Sequence, residues 1–250
     1  MKILISNDDG ILAPGIRALV KAFAGAGHEV VVLAPDGQRS AASHSLTMGM
    51  PLIPRRMDVE GAAIAYAVNG TPVDCVKLGL HNLCTDAEFV VSGINHGYNL
   101  GTDVLYSGTV GAAMEGALNG VPAMAVSLAP EREDTYDLAA QMAVTMFDFA
   151  CAHPLPAGMV LNLNYPGVDC AQGVRAVPLK ATRYIDTYIE RENDRVGRYY
   201  WLSGGIDENQ EPGDDDFTWL KKGYATVTAV MADMTAYEAT REMARLLGEH

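Results

Sequence analysis

The first 35 residues constrain the fold more than any other stretch of the chain. Ile3-Leu4-Ile5 is a short apolar run that breaks into Ser6-Asn7-Asp8-Asp9-Gly10, the form of a buried strand closing on a turn. Pro14 then suits a first helical turn, and Ile16, Leu19, Val20 and Phe23 form one apolar stripe at i, i+3, i+4 and i+7. Gly25 and Gly27 supply a stop, and Glu29-Val30-Val31-Val32-Leu33-Ala34 is a second strand ending at Pro35-Asp36-Gly37. Strand, helix and strand in such quick succession predict the opening of a parallel sheet. Ligands of such sheets bind beyond the carboxyl ends of the strands, so the first strand delivers two adjacent carboxylates, Asp8 and Asp9, to the functional edge. Adjacent like charges repel, and a divalent cation between them removes the conflict. Asn-Asp-Asp-Gly is also ordinary turn chemistry, and the opening residues alone leave both readings standing.

The following segments extend the same pattern. Gln38-Arg39-Ser40-Ala41-Ala42-Ser43-His44-Ser45 lies at the carboxyl end of the second strand, where a serine could reach the acids' metal; a solvated connector is the plainer alternative. Ala62 to Val68 reads as a strand. Thr71 then serves as N-cap, Pro72 as the first helical residue and Asp74 as the acid facing the positive end of a helix that runs to about Leu83. Glu88 to Ser92 is a core strand. It leads into Gly93-Ile94-Asn95-His96-Gly97-Tyr98-Asn99-Leu100-Gly101, and Ser107-Gly108-Thr109 opens a helix of small residues whose first N–H groups face an anion. Ala123 to Leu128, Asp134 to about Ala150 and Met159 to Asn164 read as strand, helix and strand.

From Gly173 the pattern changes. Val174 to Pro178, Tyr184 to Glu190 and Arg198 to Leu202 read as consecutive strands, a hairpin-rich extension whose aromatics suit a subunit contact, a wall for a flat ligand or core packing. Asp214-Asp215-Asp216 reads as a solvated turn. Gly223 to Val230 is a last strand, and Thr235 with Glu238 forms a capping box for a terminal helix that buries Ala239, Met243 and Leu246 or Leu247. The expected architecture is therefore α/β: a Rossmann-like three-layer core over residues 1–172 and a β-hairpin-rich extension with a terminal helix over residues 173–250.

Composition narrows the partners. Lys and Arg total 18 against 31 Asp and Glu, a formal charge of -13, which argues against a nucleic-acid polymer or a membrane surface as partner. An anionic ligand must then be held by a local site that overcomes the global field. Cys75, Cys84, Cys151 and Cys170 include no CxxC pair, the apolar runs are of strand length, and the chain opens on a strand rather than a leader-like region. A reducing, cytoplasmic setting is expected.

Taken in order, these residues closely resemble the SurE family of metal-dependent nucleotidases. The resemblance rests on Ser6-Asn7-Asp8-Asp9-Gly10 with Ala13-Pro14-Gly15, on Ala34-Pro35-Asp36 through Arg39-Ser40 and Ser43, and on Gly70-Thr71-Pro72 with Asp74-Cys75. It continues through Ser92-Gly93-Ile94-Asn95, Gly97, Asn99-Leu100-Gly101, Asp103-Val104 and Tyr106-Ser107-Gly108-Thr109-Val110. Tyr200-Trp201, Asp216-Phe217 and Gly223-Tyr224 carry it into the C-terminal part. By position it implies Asp8, Asp9, Ser40 and Asn95 as ligands of one divalent cation per subunit, an all-oxygen set suited to Mg²⁺ or Mn²⁺. It further implies phosphate binding around Asn99, Ser107, Gly108 and Thr109, with Asn95 beside them. His96 is either a phosphate contact or proton donor, or an ordinary loop histidine. The implied activity is hydrolysis of nucleoside 5'- and 3'-monophosphates, with short polyphosphate left open as a further substrate, Asp8 or Asp9 orienting the water or relaying a proton, and a homodimer or homotetramer as the assembly. Two rivals remain: a phosphatase that uses a covalent aspartyl phosphate, and a Rossmann-like nucleotide sensor without turnover.

Overall fold

The computed structural model describes residues 1–207 and 209–248; residues 208, 249 and 250 of the expected C-terminal extension lie outside the described residues. The elements in chain order are β1 (Lys2–Ser6), α1 (Pro14–Gly25), β2 (Glu29–Pro35), β3 (Pro54–Met57), β4 (Ile64–Val68), α2 (Pro72–Leu78) and β5 (Phe89–His96). They continue with α3 (Gly108–Leu118), β6 (Ala123–Leu128), α4 (Tyr136–Ala152), β7 (Met159–Tyr165), β8 (Val174–Ala176), β9 (Tyr184–Asn193), β10 (Gly197–Ile206), α5 (Asp216–Lys221), β11 (Ala225–Met231) and α6 (Tyr237–Leu246).

A nine-stranded sheet in the order β3-β4-β2-β1-β5-β6-β7-β11-β8 is the framework. Its centre, from β4 through β7, is parallel throughout. The antiparallel neighbours β3 and β11 make the whole sheet mixed. Because both faces of β1 are covered, its apolar run is continuous rather than alternating. Ile3 and Ile5 pack on one face with Ile16, Leu19 and Phe23 of α1 and Ala143 and Phe147 of α4. Leu4 packs on the other, with Val76 of α2 and Ala112 and Ala117 of α3. That is the expected three-layer α/β fold. The order of strand addition reverses at β1: β2 and β4 lie to one side, β5, β6 and β7 to the other. The crevice between the ends of β1 and β5 is therefore a topological switch point, where sheets of this kind bind ligands.

Helix starts follow their sequence signals in this core. Thr71 caps α2 reciprocally with Asp74, Pro72 is its first residue, and a π-helical turn over Gly79–Leu83 carries it to the expected end. Ser107 caps α3 through Val110 N–H at 3.1 Å. The small residues of α3 let it approach β5, since a Cβ on Gly116 would lie 2.8 Å from a Val90 methyl.

Departures concentrate at the edges and beyond residue 172. Strand β3 has no apolar alternation because three of its four residues are exposed at the sheet edge. The segment Val174–Ala176 is not part of a hairpin. It pairs parallel with β11, which itself runs antiparallel to β7, so both complete the main sheet. The hairpin is β9 with β10, registered from Tyr184↔Ile206 to Asn193↔Gly197. Core packing of its aromatics is excluded within the protomer, where Tyr188 is 67 % and Trp201 60 % exposed. The acidic run is not a solvated turn: Asp215 caps the short helix α5 through Thr218 N–H, and Asp216 is fully buried. The terminal capping box is also absent. Helix α6 starts after Ala236 with no side-chain cap, because Thr235 instead donates its N–H to Asp233 at 2.9 Å. Nor are Ala239, Met243, Leu246 and Leu247 buried, since no residue of α6 is. The amphipathic pattern marked an apolar face correctly, but among the described residues no element of the same protomer covers it.

Candidate active site

The two acids sit in a turn built to hold them still. Beyond β1, the Asn7 side chain donates to Gly10 O at 2.9 Å and accepts from Gly10 N–H at 3.2 Å, clamping the four residues from both ends. Gly10 takes φ +97° and lies against Gly37, where a Cβ would meet backbone at 3.1 Å. The loop after β2 closes on this turn through Ile11 N–H to Pro35 O at 2.9 Å and Arg39 N–H to Asp8 O at 2.7 Å. The second contact places Ser40, which is exposed, one residue from a direct bond to the Asp8 main chain.

Asp8 is 6 % exposed and accepts a hydrogen bond from the Thr109 hydroxyl at the start of α3. Gly108 abuts it so closely that a Cβ there would lie 3.0 Å from Asp8 Cβ. Burial pushes the Asp8 carboxyl up from 3.8 to about 6; the Thr109 bond opposes that shift and the neighbouring Asp9 charge adds to it. Asp9 accepts from His96 N–H at 3.0 Å, which joins the β1 turn to the end of β5 across the switch point. Asn95, the preceding residue, donates its side-chain amide to Gly97 O at 2.8 Å. The His96 imidazole turns toward α4, with Nδ1 3.4 Å from the Tyr136 hydroxyl and 3.6 Å from the Glu133 carboxylate.

The remaining expected residues are drawn into structural bonds. Asn99 is buried and donates its amide to the Ser127 hydroxyl at 2.7 Å. Its main chain donates to Asn164 at 2.9 Å and accepts from Asn162 at 2.8 Å. The Ser107 and Thr109 hydroxyls serve the helix cap and Asp8 respectively. Sequence reasoning missed the clamp formed by Ser127, Asn162 and Asn164. Its signal was present, since Asn162 and Asn164 stand two apart at the carboxyl end of an otherwise apolar strand and so share a face.

A family model described as "Survival protein SurE" matches residues 3–190. The chain belongs to the SurE family. Among its relatives, a protein named 5'-nucleotidase SurE from Synechococcus sp. (strain JA-3-3Ab) is 43 % identical over 98 % of this chain and 97 % of its own length. A protein of the same name from Moorella thermoacetica is 43 % identical over 99 % of this chain and 96 % of its own. The crystal structure of the SurE protein from Aquifex aeolicus superposes with a TM-score of 0.85 at 31 % identity, covering 98 % of this chain and 99 % of that one.

The donor set of this SurE chain fits a hard divalent cation. The influences on Asp8 are burial, hydrogen bonds and the Asp9 charge, with no basic group among them. Two adjacent carboxylates are a place where positive charge is stabilising. Among the described residues no three His, Cys, Asp or Glu side chains gather into a possible metal cluster. Ser40 and Asn95 carry neutral oxygens of the kind that would complete such a set.

A stability consequence follows for the metal-free protein. A carboxyl raised from 3.8 to about 6 by folding stabilises the fold fully below its unfolded value, and that contribution is lost as pH rises through 6. Above pH 7 the loss amounts to about 3 kcal/mol. Thermal unfolding in EDTA should therefore show Asp8→Asn melting above wild type at pH 8, with the gap closing toward pH 4. Equal melting temperatures at pH 8 would contradict this assignment of the buried charge.

Proposed function

We propose that this SurE-family chain is a phosphomonoesterase that hydrolyses nucleoside 5'-monophosphates to nucleoside and phosphate. Nucleoside 3'-monophosphates and short polyphosphate are its further substrates. One divalent cation per subunit, Mg²⁺ or Mn²⁺, completes the site. The observation that carries this reading is the meeting, at one switch point, of the paired acids Asp8 and Asp9 with the first turn of α3. The shared name of the relatives supports it.

Asp8, Asp9, Ser40 and Asn95 would hold the cation, which would supply positive charge to the phosphoryl group and lower the pKa of a water beside it. The N–H groups of Gly108 and Thr109, at the positive end of an 11-residue helix, hold phosphate oxygens. Asn99 and Ser107 shape the approach to that helix start. Asp8 or Asp9 orients the attacking water and accepts its proton, while His96 contacts the phosphate or protonates the leaving oxygen. Burial and the Asp9 charge push the Tyr136 hydroxyl up to about 12, so at neutral pH it stays a donor beside His96.

Residues 1–172 form the catalytic unit in this reading, and residues 173–250 serve assembly into a homodimer or homotetramer. Support comes from the exposed apolar faces of the β9–β10 hairpin and α6. All four cysteines are free, in keeping with a cytoplasmic site of action. No helix among the described residues is long and apolar enough to cross a membrane.

Phosphate release from a panel of 5'- and 3'-nucleotides and polyphosphate, assayed with Mn²⁺, tests the reading. Release from 5'-AMP with no acid-stable phosphoprotein is the expected result. A trapped phospho-aspartate would replace direct attack by water with the covalent route, and nucleotide binding without release would make the protein a sensor.

A further inference from the structure

The start of α3 is reached through a short turn whose outer face is held by a distant part of the chain. Gly101–Leu105 forms a 3₁₀ turn. Its Asp103 carbonyl accepts from Ser107 N–H at 3.1 Å, so the turn sets the position of the α3 cap. The loop carrying Ser40 leans on the same turn through Ser43, which donates its N–H to Tyr106 O at 2.9 Å and its hydroxyl to Leu105 O at 2.7 Å.

Asp216 is what holds this turn from outside. Its carboxylate accepts from Gly101 N–H at 2.8 Å, from Lys180 N–H at 2.9 Å and from Phe217 N–H at 2.8 Å. The segment around Lys180 is thereby drawn onto the turn, where a Cβ on Gly101 would lie 2.5 Å from Lys180 O. The Tyr184 hydroxyl, at the root of the β9–β10 hairpin, adds a second tie by donating to Asp103 at 2.6 Å. Asp216 is fully buried, and a buried carboxylate that accepts three amides is costly to place unless those amides need it.

We propose that Asp216, seconded by Tyr184, is a positioning residue that fixes the Gly101–Leu105 turn and hence the α3 start for phosphate binding. The proposal rests on the phosphomonoesterase reading for its catalytic consequence. An amide at position 216 presents only one acceptor where two segments donate, and its own NH₂ faces an N–H, so Asp216→Asn must release either Gly101 or Lys180.

The test is calorimetric titration of inorganic phosphate into the Mn²⁺-loaded protein, with steady-state kinetics on a nucleoside monophosphate alongside. For Asp216→Asn we expect the phosphate Kd and the substrate KM to rise together by about tenfold, with kcat within about threefold of wild type. Tyr184→Phe, which removes a surface tie only, should move the same two constants by about threefold. Should Asp216→Asn fail to fold, the tyrosine variant decides. A lower melting temperature with Kd and KM unchanged in both variants would overturn the proposal and leave Asp216 a structural prop. Phosphate binding that weakens as expected in a protein with no turnover would instead sustain the positioning role while refuting the enzymatic reading.

Discussion

Asp9→Asn is expected to fold as the wild type does and to release phosphate from 5'-AMP slower by a factor on the order of 10³. The fold survives because the structural duty of this side chain is modest: it accepts one main-chain bond, from His96 N–H at 3.0 Å, and an asparagine carbonyl can accept the same bond. What the substitution removes is half of the negative charge that Asp8 and Asp9 present together. Affinity for hard divalent ions is tuned by the number of charged ligands, so Mn²⁺ binding should weaken by at least about tenfold. Where Asp9 is also the carboxylate that orients the water, turnover should fall further than metal affinity alone predicts. The pair of measurements is turnover at saturating Mn²⁺ and the Mn²⁺ titration. Near-normal turnover would remove Asp9 from the site.

The second large effect is on stability, at Gly15 in the first turn of α1. Helix propensity favours alanine over glycine there by about 1 kcal/mol. The packing outweighs it, because a Cβ at Gly15 would lie 2.1 Å from Ile94 O and 3.0 Å from the Tyr136 ring. The near neighbour is a main-chain oxygen in the core strand β5, so relief requires the helix or the strand to shift. We expect Gly15→Ala to cost roughly 3 kcal/mol. Because Ile94 immediately precedes Asn95 and His96, activity should fall with stability. Thermal unfolding checks the first part, and a melting temperature at or above wild type would show that α1 and β5 are not packed this closely.

The parallel core was legible because its physics is local. Each strand from β1 to β7, apart from β3, is a compact apolar run closed by turn residues, and α2 and α3 start on side-chain caps, Thr71 and Ser107, while α1 starts on Pro14. The acids were legible for the same reason, since a strand end on Asn-Asp-Asp-Gly is visible within ten residues. Edge strand β3 was hidden because Arg55 and Arg56 leave no apolar alternation. The acidic run shows the limit more sharply. Asp214, Asp215 and Asp216 are chemically identical in the sequence, yet they accept from the Trp219 indole, from Thr218 N–H and from Gly101 N–H respectively. Only the fold, which brings residues 101 and 180 to the start of α5, separates the buried acceptor from its solvated neighbour. Likewise the apolar stripe of α6 was readable as a face, whereas its exposure was not, because a pattern does not say what covers it.

At the site the same division holds. Asp8 and Asp9 are contiguous, but the contacts that give them chemical meaning come from residues 39, 96 and 109. The resemblance placed these segments together, and the sheet order explains why they meet: β2 and β5 flank β1 on opposite sides, so their loops close over its end.

The most direct measurement is phosphate release from 5'-AMP by wild-type protein stripped with EDTA and then refilled with Mn²⁺, beside Asp9→Asn treated identically. We expect no release from the stripped protein, recovery on refilling, and little recovery in the variant. Undiminished release after complete chelation would contradict the metal-dependent reading.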